Sequence, residues 1–285
     1  MSKLKIAIQK KGRLSEKTLL LLQECNIRYP NGGDILKSES SNFPIELLFL
    51  RDDDISKYVA ANLADIGIIG ENVYREAKQE VDLIEYLGFA SCRLSLAIPR
   101  HFEYKGLSFF QNKKIATSYP NILENFLYKR GITASIEFIS GSVEIAPSIG
   151  LADAICDIVS SGSTLMANGL KEVEKIIDSQ AVLIANPRLS IKKKKTLDEL
   201  TFRIKAVLKA KENKYILLNA PNDKIKDIIK ILPGMKSPTL LPLANKNWSS
   251  LHSVIQEDQF WKIIDELKQA GAEGILVAPI EKMIF

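Results

Sequence analysis

The segment Asp153-Ala154-Ile155-Cys156-Asp157-Ile158-Val159-Ser160-Ser161-Gly162-Ser163-Thr164-Leu165 holds the densest chemistry in the chain. An apolar run carrying an aspartate passes into a small hydroxyl-rich loop with one glycine, and a helix follows. Backbone N–H groups at such a turn, with a helix N-terminus behind them, attract phosphate. Ser160, Ser161, Ser163 and Thr164 add hydroxyl donors. Asp157 has the wrong sign for phosphate but can accept hydrogen bonds from sugar hydroxyls. The segment therefore suits a phosphorylated sugar. The competing reading is an ordinary strand–turn–helix with a Ser/Thr cap.

Two arginines stand where they could meet the rest of such a ligand. Arg13 follows a short strand and Gly12; Arg51 closes the strand Ile45–Leu50. Strand C-terminal ends in α/β sheets point at the ligand crevice, and guanidinium groups bind diphosphate bidentately. The alternative is two surface arginines. Asp52, Asp53 and Asp54 could hold magnesium through water or cap the next helix, expected over roughly 55–63. Glu71, Tyr119 and Glu144 occupy turns after strands, as nucleotide contacts or as caps.

These residues need elements to position them. Leu4–Ile8, Ile45–Leu50, Asp65–Gly70, Lys114–Ala116, Ser135–Ile139 and Ile155–Val159 read as strands. Helices alternate with them, one capped by Ser15, and Pro30–Gly33 is a turn. This pattern argues for βαβ units and parallel-rich sheets. Lys5-Ile6-Ala7 echoes Lys114-Ile115-Ala116, and Leu63-Ala64-Asp65 echoes Leu151-Ala152-Asp153, so two similar α/β lobes are expected. Arg93–Pro99 and Gln180–Pro187 bracket the second lobe and read as crossings between lobes. That assigns 1–95 and 181–212 to a first lobe and 96–180 to a nested second lobe, with a cleft between them. The last stretch, 213–285, reads β-α-β-β-α-β, the ferredoxin-like order.

Composition narrows the function. The 285 residues carry 39 Lys+Arg against 34 Asp+Glu, a net +5. That is too mild and too spread for a nucleic-acid binder. Lys192–Lys195 reads as a solvated stretch beside a helix. Three well-separated cysteines and two histidines argue against both a disulfide framework and a structural zinc site. No apolar run approaches a membrane span and no signal-peptide core follows Met1, so a cytoplasmic, membrane-free chain is expected.

The chain resembles the ATP phosphoribosyltransferases of histidine biosynthesis, in their long form. The matching stretches are Ile8–Leu14, Leu50–Ile55, Ala64–Val73, Cys92–Ala97, Leu151–Leu165, Pro238–Leu243 and Leu276–Met283, spread over essentially the whole chain. The resemblance implies two α/β lobes around a cleft, like periplasmic binding proteins, plus a C-terminal regulatory domain. It implies that ATP and phosphoribosyl pyrophosphate give phosphoribosyl-ATP and pyrophosphate, with Mg2+, under feedback inhibition by histidine. Dimers assembling into hexamers are implied, with no separate regulatory subunit. Carried onto this chain, Arg13, Arg51 and Lys10 would face pyrophosphate. Ser160, Ser161, Gly162, Ser163 and Thr164 would hold the 5-phosphate and Asp157 the ribose hydroxyls. Asn219, Thr239, Val254 and Gly274 match the histidine site; Asn219 stands where an acidic residue would be expected. Two rivals are a two-lobed ligand-binding or sensing protein and a phosphoribosyltransferase for another base.

Overall fold

The computed structural model describes residues 3–30, 35–232, 234 and 237–284. The expected turn at Asn31–Gly33 lies outside them. The chain divides into two compact units, Met1–Asp198 and Glu199–Phe285.

The first unit holds two sheets. One is built from β1 (Leu4–Gln9), β2 (Lys37–Glu39), β3 (Ile45–Leu50), β4 (Ile66–Gly70), β5 (Asp82–Tyr86) and β11 (Ala181–Ala185). Its order is β2-β3-β1-β4-β11-β5. Helices α1 (Arg13–Glu24), α2 (Asp52–Ala60) and α3 (Glu71–Ala77) connect its strands. The central strands β1, β4 and β11 are mostly apolar because both faces are covered. Ile55 and Val59 of α2 are fully buried against Ala7, Ile69 and Ile184. Each such side chain contributes about 1.5–3 kcal/mol on leaving water, which fixes α2 on the sheet.

The second sheet holds β6 (Cys92–Pro99), β7 (Lys114–Thr117), β8 (Ser135–Phe138), β9 (Ala154–Val159) and β10 (Leu170–Ser179), in the order β10-β6-β9-β7-β8. Helices α4 (Pro120–Tyr128) and α5 (Ser163–Ala167) belong to it, with 3-10 turns at Leu107–Phe110 and Val143–Ile145. Phe110, Leu123 and Phe126 fill its core with Leu94, Leu96 and Ile115. The crossings fall elsewhere than the sequence suggests. Arg93–Pro99 lies wholly inside this second sheet, pairing with β9 on one side and β10 on the other. Phe89 still accepts from the Ala181 N–H of the first sheet at 2.9 Å. The outgoing crossing is therefore at 90–91 and the return at Gln180, side by side.

Helix α6 (Ile191–Lys211) runs from the first unit into the second. In the second unit β12 (Asn213–Pro221), α7 (Ile225–Ile231), β13 (Thr239–Pro242), β14 (Trp248–Gln256), α8 (Glu257–Gln269) and β15 (Glu273–Pro279) form an antiparallel sheet, ordered β13-β14-β12-β15, with two helices. This is the ferredoxin-like arrangement. Ile216, Leu218, Ile228, Leu251 and Leu267 form its core. No described helix is long and apolar enough to cross a membrane.

Candidate active site

In the first lobe β1 runs parallel to β3 and to β4. The turns after Gln9, Leu50 and Gly70 therefore share one edge. The Lys10 N–H donates to the Leu50 carbonyl at 2.8 Å and ties the first turn to the second. Gly12, at φ 103°, turns the chain in a conformation that side chains disfavour. Helix α1 then starts at Arg13. Ser15, expected to cap, sits buried inside the helix's first turn, because the glycine turn starts the helix early. Arg13 and Arg51 are exposed, and neither is held in an ion pair among the described residues.

The three aspartates after Arg51 do not cap a later helix. They form the first turn of α2, and Arg51 is the N-cap residue with no side-chain cap bond. There they oppose the positive end of the helix dipole. The Oδ1 of Asp52 is buried without a hydrogen-bond partner. Burial, reinforced by Asp53 beside it, pushes the Asp52 carboxyl up to about 6.

In the second lobe β7 runs parallel to β8 and β9, so the turns after Thr117, Phe138 and Val159 share another edge. Ser118 Oγ donates to the Ile139 carbonyl at 2.6 Å and joins two of them. Ser160, Ser161, Ser163 and Thr164 are exposed, ahead of and within the first turn of α5. Gly162 precedes that helix at φ 80°, and the Ser161 and Ser163 hydroxyls share a hydrogen bond at 2.9 Å. Asp157 is half-buried on β9. Burial raises its carboxyl; the Ile158 N–H, at 2.8 Å, works the other way, and Glu144 adds to the rise.

The two edges meet at Tyr119. Asn72 Nδ2 donates to the Tyr119 hydroxyl at 2.9 Å. Ser179 Oγ donates to Asn72 Oδ1 at 2.9 Å, and the Asn72 N–H donates back to Ser179 Oγ at 3.0 Å. A Cβ at position 70 would collide with Asn72 Oδ1, so Gly70 makes room for this fold-back. The Tyr119 phenol is held well above its ordinary range, first by burial and then by Asp157, with Asp52 and Asp53 adding to it. Carboxylates of both lobes thus raise the same phenol electrostatically. Beside it a cavity of about 400 Å³ opens between the lobes, lined by Asp53, Lys57, Glu76, Tyr119, Ser140 and Gly141 among others.

Sequence reasoning singled out Glu71 for this cleft. In the structure Glu71 is buried and paired with Arg75 at 2.6 Å, one helical turn on. The Glu71–Arg75 spacing could have signalled this pairing. Asn72, the next residue, reaches the other lobe instead. Glu76 was also missed. Its two carboxylate oxygens accept from the Asn121 and Ile122 N–H groups at 2.9 and 3.0 Å. Helix α4 of the second lobe is therefore capped by a side chain from the first. No local motif announces Asn72, Glu76 or Ser179, because their partners lie 45 to 107 residues away.

Among the described residues no cluster of three or more His, Cys, Asp or Glu side chains is arranged to hold a metal ion. Asp52 and Asp53 supply hard oxygen acceptors at the cleft without forming a closed cage.

In the second unit, Asn219 pairs with Ser250 and Glu273, Thr239 with His252, and Val254 with Tyr215. Strand alternation puts Asn219, Thr239 and Val254 on one face, opposite the core residues Ile216, Leu218 and Leu251. Gly274 adjoins them: a Cβ there would lie 3.3 Å from Asn219 Nδ2. The same face carries a chain from the Tyr215 hydroxyl to His252 Nδ1, and from His252 Nε2 to Ser250 Oγ at 3.1 Å.

Residues 51–206 match the family described as ATP phosphoribosyltransferase, and residues 210–282 match its C-terminal domain. The ATP phosphoribosyltransferase of Cytophaga hutchinsonii is 58% identical over 99% of this chain and 98% of its own length. That of Azobacteroides pseudotrichonymphae is 62% identical over 99% of this chain and all of its own. A solved chain from the ATP phosphoribosyl transferase (HisG:HisZ) complex of Thermotoga maritima superposes with a TM-score of 0.60 at 30% identity. It covers 71% of this chain and 98% of that one. With relatives spanning 99% of it and both of its parts matched, the chain belongs to the ATP phosphoribosyltransferase family, in its long form with a C-terminal domain, and catalyses the first step of histidine biosynthesis.

Proposed function

We propose that the cleft between the lobes is where phosphoribosyl pyrophosphate and ATP react, and that its two edges divide the work. The observation that carries this is the inter-lobe cavity of about 400 Å³, which Asp53 of the first lobe and Tyr119 of the second both line. The Ser160–Thr164 loop takes the 5-phosphate through its hydroxyls, and Asp157 accepts from the ribose hydroxyls. Arg13, Arg51 and Lys10 bind the pyrophosphate. Adenine N1 forms its bond to the anomeric carbon as the carbon–oxygen bond to pyrophosphate breaks. Positive charge gathers on the sugar ring and negative charge on the leaving group. Asp157 stabilises the first and the arginines the second, so positioning and electrostatics carry the rate. Tyr119 and Glu144 border the adenine side.

Magnesium would be held mainly by the diphosphate, since this cation keeps several waters and favours substrate phosphates over protein cages. When bound it would neutralise charge on the leaving group, with Asp52 and Asp53 placed to receive its waters.

The C-terminal sheet binds histidine at Asn219, Thr239, Val254 and Gly274 and signals to a distinct catalytic site. The enzyme works as dimers and hexamers in the cytoplasm and needs no separate regulatory subunit. The decisive assay is pyrophosphate release from ATP plus phosphoribosyl pyrophosphate, with and without histidine. Release only with another base would overturn the substrate assignment. Full histidine inhibition of a protein ending near Asn213 would overturn the regulatory one.

A further inference from the structure

A second concavity adjoins the ends of α3 and α4. Its volume is about 490 Å³, and residues of both lobes line it. Arg75 and Lys78 come from the end of α3. Asn121, Asn125, Lys129 and Arg130 come from α4 and the turn after it. Four cations and two amides thus surround one space, and no carboxylate lines it. Only Arg75 has a counter-charge, Glu71. Lys78 donates to the neutral Asn121 Oδ1 at 2.9 Å. Lys129 and Arg130 are exposed and have no carboxylate partner among the described residues. The Arg130 guanidinium lies 4.0 Å over the Phe126 ring, which holds it at the rim.

Like charges gathered in a concave surface repel each other and focus the local field toward anions. Solvated lysines on a convex face would diverge. Here cations from two lobes turn toward one cavity, with Phe126 and Ile177 as its apolar floor. We propose that this pocket binds a phosphate-bearing small anion, with the apolar floor taking its organic part. The site goes beyond the catalytic reading. It shares no lining residue with the catalytic cavity, and Glu76 caps α4 between the two. An occupant would hold Lys78 of the first lobe and Lys129 and Arg130 of the second together. It would therefore favour whichever lobe arrangement keeps them close.

The test uses the full-length protein and inorganic tripolyphosphate as probe, followed by hydrogen exchange in two segments. In the wild type the probe should slow exchange across 120–130. In the Lys129→Gln/Arg130→Gln protein that slowing should vanish, with the affinity read there falling about tenfold or more. Lys78→Gln, in the other lobe, should weaken the same protection. Exchange at 160–165 reports separately on the catalytic loop and should respond to the probe equally in all three proteins. Turnover without added anion should stay within about twofold of wild type, because none of these residues touches the proposed reactants. Unchanged protection at 120–130 in both variants, or none in the wild type, would overturn the proposal. Loss of response at 160–165 alone would instead count against the catalytic reading.

Discussion

At the foot of each lobe the same clasp appears. The Lys5 N–H donates to Asp65 Oδ2 at 2.8 Å, and the Asp65 N–H donates to the Lys5 carbonyl at 3.0 Å. In the second lobe the Lys114 N–H donates to Asp153 Oδ2 at 2.9 Å, and the Asp153 N–H to the Lys114 carbonyl at 2.8 Å. The lobes diverge from there. Asp65 is 2% exposed and salt-bridged to Lys193 at 2.7 Å; Asp153 is 40% exposed, with Lys113 at 3.5 Å. At the opposite edges the first lobe presents arginines and aspartates, and the second presents hydroxyls, a phenol and the half-buried carboxylates of Asp157 and Glu144. The frame is shared and the side chains are partitioned; in the proposed reaction, charge would serve the leaving group on one side, and shape and hydrogen bonding the sugar on the other.

Removing the second lobe's Asp157 carboxylate should hurt most. Asp157→Asn should lower kcat by about 100-fold or more, on the scale of losing one preorganised transition-state contact. A steady-state kcat within a few-fold of wild type would dissolve the partition. Next, Asp65→Asn should cost about 3 kcal/mol in urea unfolding, because a buried ion pair loses one partner. The matching Asp153→Asn should cost ~1 kcal/mol or less, because that pair is solvated. Equal losses would mean burial does not separate the two clasps. On the first lobe's edge, Arg13→Ala or Arg51→Ala should lower kcat about tenfold, with a smaller change in ATP binding. Unchanged turnover in either variant would remove that arginine from the leaving-group side.

The smallest effect should come from Asp52. Its carboxyl titrates near 6 in the fold against 3.8 for the ordinary side chain. Between those values the folded chain binds more protons than the unfolded one, so this group's contribution to stability falls as pH rises. Asp52→Asn should therefore raise Tm by a few degrees at pH 8 and change little at pH 3. A lower Tm at pH 8 would show that the ionised carboxylate is compensated.

The clasp explains why the lobes were legible in sequence. Lys-Ile-Ala and Leu-Ala-Asp recur because both sheets need a central strand tied at its foot to the next. Apolar alternation likewise exposes β1, β3, β4 and β9. Strand β10 escapes this reading: Lys171, Glu172, Glu174 and Lys175 crowd it, and two register shifts break its alternation. The candidate loops at Arg13, Arg51 and Ser160–Thr164 were visible as residue types after strands. The stitching of the lobes was not. Asn72, Glu76 and Ser179 are ordinary polar residues whose role exists only once the lobes approach. Glu71 was the natural acidic choice, yet a nearby arginine claimed it.

The nesting of one lobe inside the other also sets an order of events on the ribosome. Among the described residues strand β5 pairs only with β11, and β11 also covers the edge of β4. About a hundred residues separate β5 from that partner. The inner sheet, continuous from 92 to 179, can close as soon as it emerges. The outer sheet, begun first, must wait with a bare apolar edge until Ala181–Ala185 is made. Released chains that end just before 181 should thus yield a protease-resistant inner lobe and a protease-sensitive start. That interval is when this protein most needs a chaperone.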